Sequence, residues 1–284
     1  MIAILAFLVL NIATLSPVIA FSADGYFKTS DRVNLHYKNA GQGPRTLVFV
    51  PGWLMPAEVF KHQLADLSGE YRVVVLDPRG QGRSQVKVKD MSAARRARDI
   101  HELVRHLRLT DYVLVGWSLG VMEILETVVS HPDDSGLKAL VLVDNSIGMG
   151  PAPVATGGGR QRRPMGRDAF DQYVSNFSRA IFKHPPLDGL VETVERSAKL
   201  LPPTLAWALL DKPHHRDYYK RAVMDSSIPV WYAITPRYSV QGKELLQWRP
   251  GASVTVFEDA GHALFVDSAD AFNQGLRQFL AQLP

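Results

Sequence analysis

Tyr112-Val113-Leu114-Val115-Gly116-Trp117-Ser118-Leu119-Gly120 is the part of this chain from which the rest can be read. A short apolar run of β type leads into Gly116, and an apolar segment of helical character runs from Leu119 to Ser130. G-x-S-x-G at such a junction predicts a sharp strand-to-helix turn with the serine at its tip. The reason is steric: small residues at 116 and 120 let neighbouring backbone pass closely. The serine hydroxyl then stands above the strand end at a helix N-terminus, where partial positive charge favours a developing anion.

On either side, strands and helices alternate. Val33 to Tyr37 alternates like a half-exposed strand, and Ala40 to Pro44 reads as a turn. Thr46–Val50, Arg72–Leu76, Leu137–Val143, Ile228–Ile234 and Ser253–Phe257 are β-type runs, several of them suited to burial on both faces. Helical spacing occupies Pro56–Leu67, Ser92–Leu107, Gly242–Trp248 and Ala269–Leu280. This order predicts a mostly parallel central sheet with helices on both faces. From about Asn145 to Ser227 the alternation breaks. A Gly/Pro/Arg stretch over 148–164, with Gly157-Gly158-Gly159, precedes helical segments near 168–182, 187–200, 203–210 and 215–224. The reading is one domain over 24–284, with a helical cap inserted at about 146–226.

Bulk composition narrows the chemistry. The chain has 284 residues, 46% hydrophobic and 21% charged, as expected of a folded globular protein. It has no cysteine, which excludes disulfides, thiolate metal sites and a Cys nucleophile. A net charge of +4 makes it mildly basic, partly through Arg160, Arg162, Arg163 and Arg167. No reader motif accompanies that run, so it is read as a solvated loop and no nucleic-acid partner is expected. Residues 1–20 carry no charged side chain, Ile2–Leu10 has the length of a signal h-region, and Val18-Ile19-Ala20 fits a cleavage site. Residues 1–23 are therefore read as a signal peptide or N-terminal anchor. The expected location is the periplasm or the exterior, or a membrane tether through an uncleaved segment.

A serine hydroxyl is a weak nucleophile near neutral pH and needs an adjacent base that titrates there. Gly261-His262, between the last strand and the last helix, supplies an imidazole in the required chain order. The other histidines, including His214-His215, lack ligand-like spacing and are read as cap or surface residues. No metal and no cofactor are expected. Two further segments stand out: Val50-Pro51-Gly52-Trp53, and Asp77-Pro78-Arg79-Gly80-Gln81-Gly82-Arg83-Ser84. In the latter, Gly80-Gln81-Gly82 lacks the third glycine and the helix start of a dinucleotide site.

Together these motifs resemble the capped serine hydrolases of the α/β-hydrolase fold family, carboxylesterase-like, over nearly all of residues 24–284. The resemblance implies Ser118 as nucleophile, His262 as base, and an oxyanion hole made by the backbone N–H groups of Trp53 and Leu119. It also implies a structural role for the D-x-R-G-x-G-x-S turn. The chain departs from the family in having Pro51 where His is usual and Val121 where a second Gly is frequent. The largest departure concerns the acid, which the family usually carries after the strand that follows the cap. Here that loop, Thr235 to Lys243, contains no carboxylate, and Tyr238 stands where Asp is expected. Some members instead carry the acid at the end of the strand after the nucleophile helix, which maps to Asp144. The alternative is that Asp144 only caps a turn and His262 is oriented by a backbone carbonyl or by nothing.

The implied activity is cleavage of a carboxylic ester, thioester or lactone through an acyl-enzyme. Phe170, Tyr173, Phe177, Phe182, Trp207, Tyr218 and Tyr219 suggest a small apolar substrate, unless they merely pack the cap helices together. Ser at the elbow argues against relatives that use Asp there. Carbon–carbon bond hydrolases and cofactor-free perhydrolases remain open because they share the triad, as does a non-catalytic binding member.

Overall fold

A computed structural model describes residues 22–86, 89–150, 166–211 and 214–283. Eight strands form one sheet: β1 (Ser22–Lys28), β2 (Asn34–Ala40), β3 (Thr46–Val50), β4 (Arg72–Leu76), β5 (Tyr112–Trp117), β6 (Leu137–Val143), β7 (Val230–Ile234) and β8 (Ser253–Val256). Their order is β1-β2-β4-β3-β5-β6-β7-β8. The β1–β2 and β2–β4 pairings are antiparallel, and every later pairing is parallel.

Period-two alternation along the strands builds a core on each face of the sheet. Val48 and Val50 of β3 and Leu114 of β5 face one side. There they meet Ile100, Leu103 and Val104 of α2 (Ala93–His106) and Ile124, Leu125 and Val128 of α3 (Leu119–Ser130). Leu47, Phe49, Val113, Val115 and Trp117 face the other side. They join Leu67 of α1 (Lys61–Leu67), Phe265 of α9 (Leu264–Asp267) and Phe272 and Leu276 of α10 (Ala269–Leu280).

The segment between β6 and β7 carries α4 (Arg167–Ala180), α5 (Leu190–Ala198), α6 (Pro203–Ala208) and α7 (Arg216–Met224), and α8 (Ser239–Trp248) follows β7. This segment is seated on Trp53. The Trp53 ring stacks on Trp207 at 4.8 Å between centroids, meets Phe177 edge-on at 5.3 Å, and donates through Nε1 to the Ala206 carbonyl at 2.6 Å.

The structure departs from the sequence reading in a few places. β2 runs through Ala40, where the sequence suggests the start of a turn, and β1 begins at Ser22, inside the span 1–23 that the sequence suggests as a leader. β1 carries little hydrophobic alternation; it forms as the outer arm of a hairpin whose Thr29–Val33 turn is closed by main-chain bonds. His36, read as a surface or cap residue, is fully buried, with Nδ1 at 2.6 Å from Asp77 Oδ2. The Arg160–Arg163 run, the glycine triplet and residues 1–21 lie outside the described residues. Arg167 opens α4 and pairs with Asp171 at 2.9 Å. Among the described residues no helix is long and apolar enough to cross a membrane.

The turn after β4 is held as a rigid knot. Asp77 accepts from Ala57 N through Oδ1 at 2.6 Å and from Arg83 N through Oδ2 at 2.9 Å. A Cβ on Gly82, at φ 54°, would lie 2.0 Å from the Asp77 carboxylate, so only glycine fits there. Arg79, fully buried, donates to Asp99 and to Asp31. Burial pushes the Asp31 carboxyl up, but hydrogen bonds from Arg79 and Thr29 outweigh this and bring it down to about 2.

Candidate active site

The β5–α3 turn has the geometry its glycines require. Ser118 sits at φ 54°, ψ −117°, a region that non-glycine residues rarely occupy. A Cβ on Gly116 would meet the Gly120 carbonyl oxygen at 2.5 Å, and one on Gly120 would meet the Val50 carbonyl oxygen at 2.2 Å. Substitution at either position would push the turn off the sheet. Leu119 is the first residue of α3, so its N–H is among those at a helix start that have no intrahelical acceptor.

His262 lies beside this turn, although it is 144 residues away in sequence. Its Nε2 is 2.8 Å from Ser118 Oγ, and its Nδ1 is 2.7 Å from Asp144 Oδ2. With the proton on Nδ1, the imidazole donates to the carboxylate and accepts from the serine hydroxyl. The ring is fixed from several sides. Trp117 Nε1 donates to the His262 carbonyl at 2.8 Å, and Asp267 accepts from Gly261 N at 2.7 Å. Asp267 also accepts from Lys183 N and His184 N, so one carboxylate ties the histidine loop to the chain just beyond α4.

Asp144 directly follows β6 at φ 44° and is 2% exposed. Its Oδ1 accepts from both the N–H and the hydroxyl of Thr235, at 2.8 and 2.7 Å. The loop after β7 therefore contributes two donors rather than an acid. Tyr238 is buried in a 3-10 turn of that loop, and burial raises its pKa. Asn145 Nδ2 donates to the Ser118 carbonyl at 2.6 Å, and the Asn145 carbonyl accepts from buried Tyr232 at 2.7 Å.

The loop carrying Trp53 lies directly against the serine: a Cβ on Gly52 would be 3.0 Å from the Ser118 Cβ. Leu54 has φ 63°, and its N–H donates to buried Gln81 Oε1 at 2.6 Å. The other end of that amide donates to the Gly52 and Met55 carbonyls at 3.3 and 3.4 Å. Gln81 therefore grips the loop on both sides of Trp53.

Ser118 also opens onto a cavity of about 200 Å³, lined by Leu119, Met122, Leu209 and Tyr219 together with Arg96 and Glu123. Of the seven aromatic residues singled out in the sequence, only Tyr219 reaches it. Phe170, Tyr173, Phe177 and Trp207 pack on one another and on Trp53. Phe182 is buried in the core on the α1, α9 and α10 face, and Tyr218 stacks on His214 at 3.8 Å. Arg96 and Glu123 are both 3% exposed, with Nε and Oε1 at 2.5 Å. Burial raises the Glu123 carboxyl, against the pull of Arg96.

The sequence thus led to Ser118, His262, Asp144, Trp53 and Leu119, and the structure brings all five to one end of the sheet. It did not lead to Thr235, Asn145, Gln81 or Asp267. Thr235 could have been found by asking what remains in a post-strand loop without its acid, because its hydroxyl is the first polar side chain there.

Residues 47–274 match the model of the alpha/beta hydrolase family. Serine hydrolase BPHL of Homo sapiens is 28% identical over 266 residues, covering 87% of this chain and 83% of the relative. Pimeloyl-[acyl-carrier protein] methyl ester esterase of Vibrio cholerae serotype O1 is 27% identical over 263 residues, 86% of this chain and 97% of the relative. Among solved structures, esterase RhEst1 from Rhodococcus sp. ECU1013 has a TM-score of 0.76 at 20% identity, over 92% of this chain and 99% of that one.

Proposed function

The chain belongs to the alpha/beta hydrolase family and is a hydrolase, and from that premise we propose that it cleaves carboxylic esters, or related thioesters and lactones, through a Ser118 acyl-enzyme. His262 takes the serine proton and returns it to the leaving alcohol, Asp144 holds the imidazole, and the N–H groups of Trp53 and Leu119 receive the oxyanion. The helices of about 146–226 act as a cap, and the N-terminal segment ahead of β1 directs export or anchoring. The observation that carries this reading is the unbroken Asp144–His262–Ser118 chain of hydrogen bonds, 2.7 and 2.8 Å long.

Each part has a physical basis. The carboxylate fixes the tautomer that leaves Nε2 free to accept, and it stabilises the imidazolium formed on attack. Two fixed N–H donors stabilise the oxyanion more than the ground-state carbonyl, which is where rate acceleration arises. A fluorophosphonate probe is expected to label the purified protein stoichiometrically, with the adduct on the peptide containing Ser118. Folded protein that takes no label would remove Ser118 as an activated nucleophile.

Gln81 is a positioning residue in this scheme, acting on Trp53 through the loop it grips. Gln81→Leu keeps the bulk but leaves the Leu54 N–H without its acceptor. A misplaced oxyanion donor is felt in the transition state, so kcat is expected to fall roughly 10–100-fold with KM nearly unchanged. A rise in KM at constant kcat would instead assign Gln81 to substrate binding.

A further inference from the structure

The cavity beside Ser118 has an ionic inner wall. Ala93, Leu119, Met122 and Leu209 line it, yet Arg96 of α2 and Glu123 of α3 contribute a buried ion pair to the same surface. Asn145, Tyr219 and Asp211 reach it as well, Asp211 being engaged with a partner of its own. Arg96 bonds to Glu123 through Nε and to the Met91 and Leu209 carbonyls through its two Nη nitrogens. A guanidinium carries five N–H groups, so one on each Nη remains beyond these bonds. Glu123 is engaged by Arg96 through Oε1, which leaves the acceptor capacity of Oε2 to the cavity side. A buried pair offsets its desolvation only when its remaining donors and acceptors are also met.

The side of the ester that enters this cavity follows from the chemistry. His262 must reach the leaving oxygen to protonate it, and His262 is not part of the cavity wall, whereas Ser118 and Leu119 are. The cavity therefore takes the acyl chain. Glu123 lies about one turn of α3 beyond Leu119, and a six-carbon acyl chain is the length to test first.

We propose that this cavity is an acyl subsite for chains ending in a neutral group that both donates and accepts hydrogen bonds, such as a carboxamide, held by the Arg96–Glu123 pair. The inference rests on the acyl-enzyme reading above. A carboxylate terminus would meet Glu123 and Asp211, an ammonium would meet Arg96, and a hydrocarbon would leave the Arg96–Glu123 pair without further partners. A site built around buried polar groups discriminates strongly against an analogue that cannot pair with them.

The test is a set of ethyl esters on the full chain: 6-amino-6-oxohexanoate, its hydrocarbon isostere 6-methylheptanoate, 6-aminohexanoate, and the monoethyl ester of adipic acid. The carboxamide ester is expected to exceed each of the others in kcat/KM by tenfold or more, and Glu123→Gln is expected to shrink that preference. If Glu123→Gln does not fold, the wild-type series decides alone. Equal or better turnover of the hydrocarbon ester would overturn the subsite, and a preference for the charged esters would overturn its neutral character. Fluorophosphonate labelling of Ser118 without turnover of any of these esters would overturn the acyl assignment alone. Absence of labelling would overturn the hydrolase site with it.

Discussion

Asp144→Asn is expected to lower kcat on an ester substrate by about 10⁴-fold while leaving the fold intact, if the proposed acyl-enzyme route holds. The size of the loss follows from the two donors of Thr235. The N–H and hydroxyl of that residue both point at Asp144 Oδ1. An asparagine in the same rotamer satisfies them only by turning its carbonyl oxygen toward Thr235, which places its NH₂ against His262 Nδ1. That nitrogen must then accept, the ring proton moves to Nε2, and the imidazole can no longer take the Ser118 proton. The fold survives because Asp144 sits at φ 44°, a conformation asparagine tolerates better than most residues. Rate and stability therefore separate cleanly. Steady-state kinetics beside a thermal melt provide the check; an unaltered kcat would remove Asp144 from the triad. Thr235→Val retains the backbone donor and is expected to cost only a small fraction of that loss.

The same pair of residues shows where sequence reading succeeds and where it stops. Strands, helices and the helical insertion were legible because buried parallel strands contain continuous apolar runs such as Leu47–Val50 and Ala139–Val143, with helical periodicity between them. The turn at Ser118 was legible because its steric demands admit few residues at 116 and 120. β1 was not, since its sequence, SADGYFK, obtains its order from pairing with β2 rather than from its own pattern. Around the site, motif order pointed to Ser118 and His262, while Asp144 came from the family resemblance, which offers a second place for the acid when the Thr235–Lys243 loop lacks one. Thr235, Gln81 and Asp267 act through hydrogen bonds to main-chain groups or to another side chain far along the chain, a kind of contact that leaves no periodicity and no spacing. The aromatic residues of the insertion lend the apolar-substrate reading little support, for a related reason. Composition shows that they are available, but not that Phe170, Tyr173, Phe177 and Trp207 are engaged in seating the insertion on Trp53.

The largest effect is expected at Ser118 itself, and it divides into two opposite results. Ser118→Ala and Ser118→Gly both remove the attacking oxygen and lower kcat by roughly 10⁴–10⁶-fold. What rate remains comes from the oxyanion donors and from positioning, and it should no longer respond to His262. In stability the two variants diverge. Serine and alanine are equally strained at φ 54°, ψ −117°, so the alanine protein should melt close to the wild type. Glycine adopts that conformation without a Cβ clash, which releases strain of about 1–3 kcal/mol. Against this stands the extra entropy glycine has in the unfolded chain, about 0.5–1 kcal/mol. The net gain is on the order of 1 kcal/mol, equivalent to a rise in Tm of roughly 2–4 °C for a chain of this size. A glycine variant that is inactive yet more heat-stable than the wild type would mean that the turn stores strain to keep the hydroxyl aimed at His262. A glycine variant that melts lower would mean that the Ser118–His262 hydrogen bond contributes more to the fold than the strained backbone costs it.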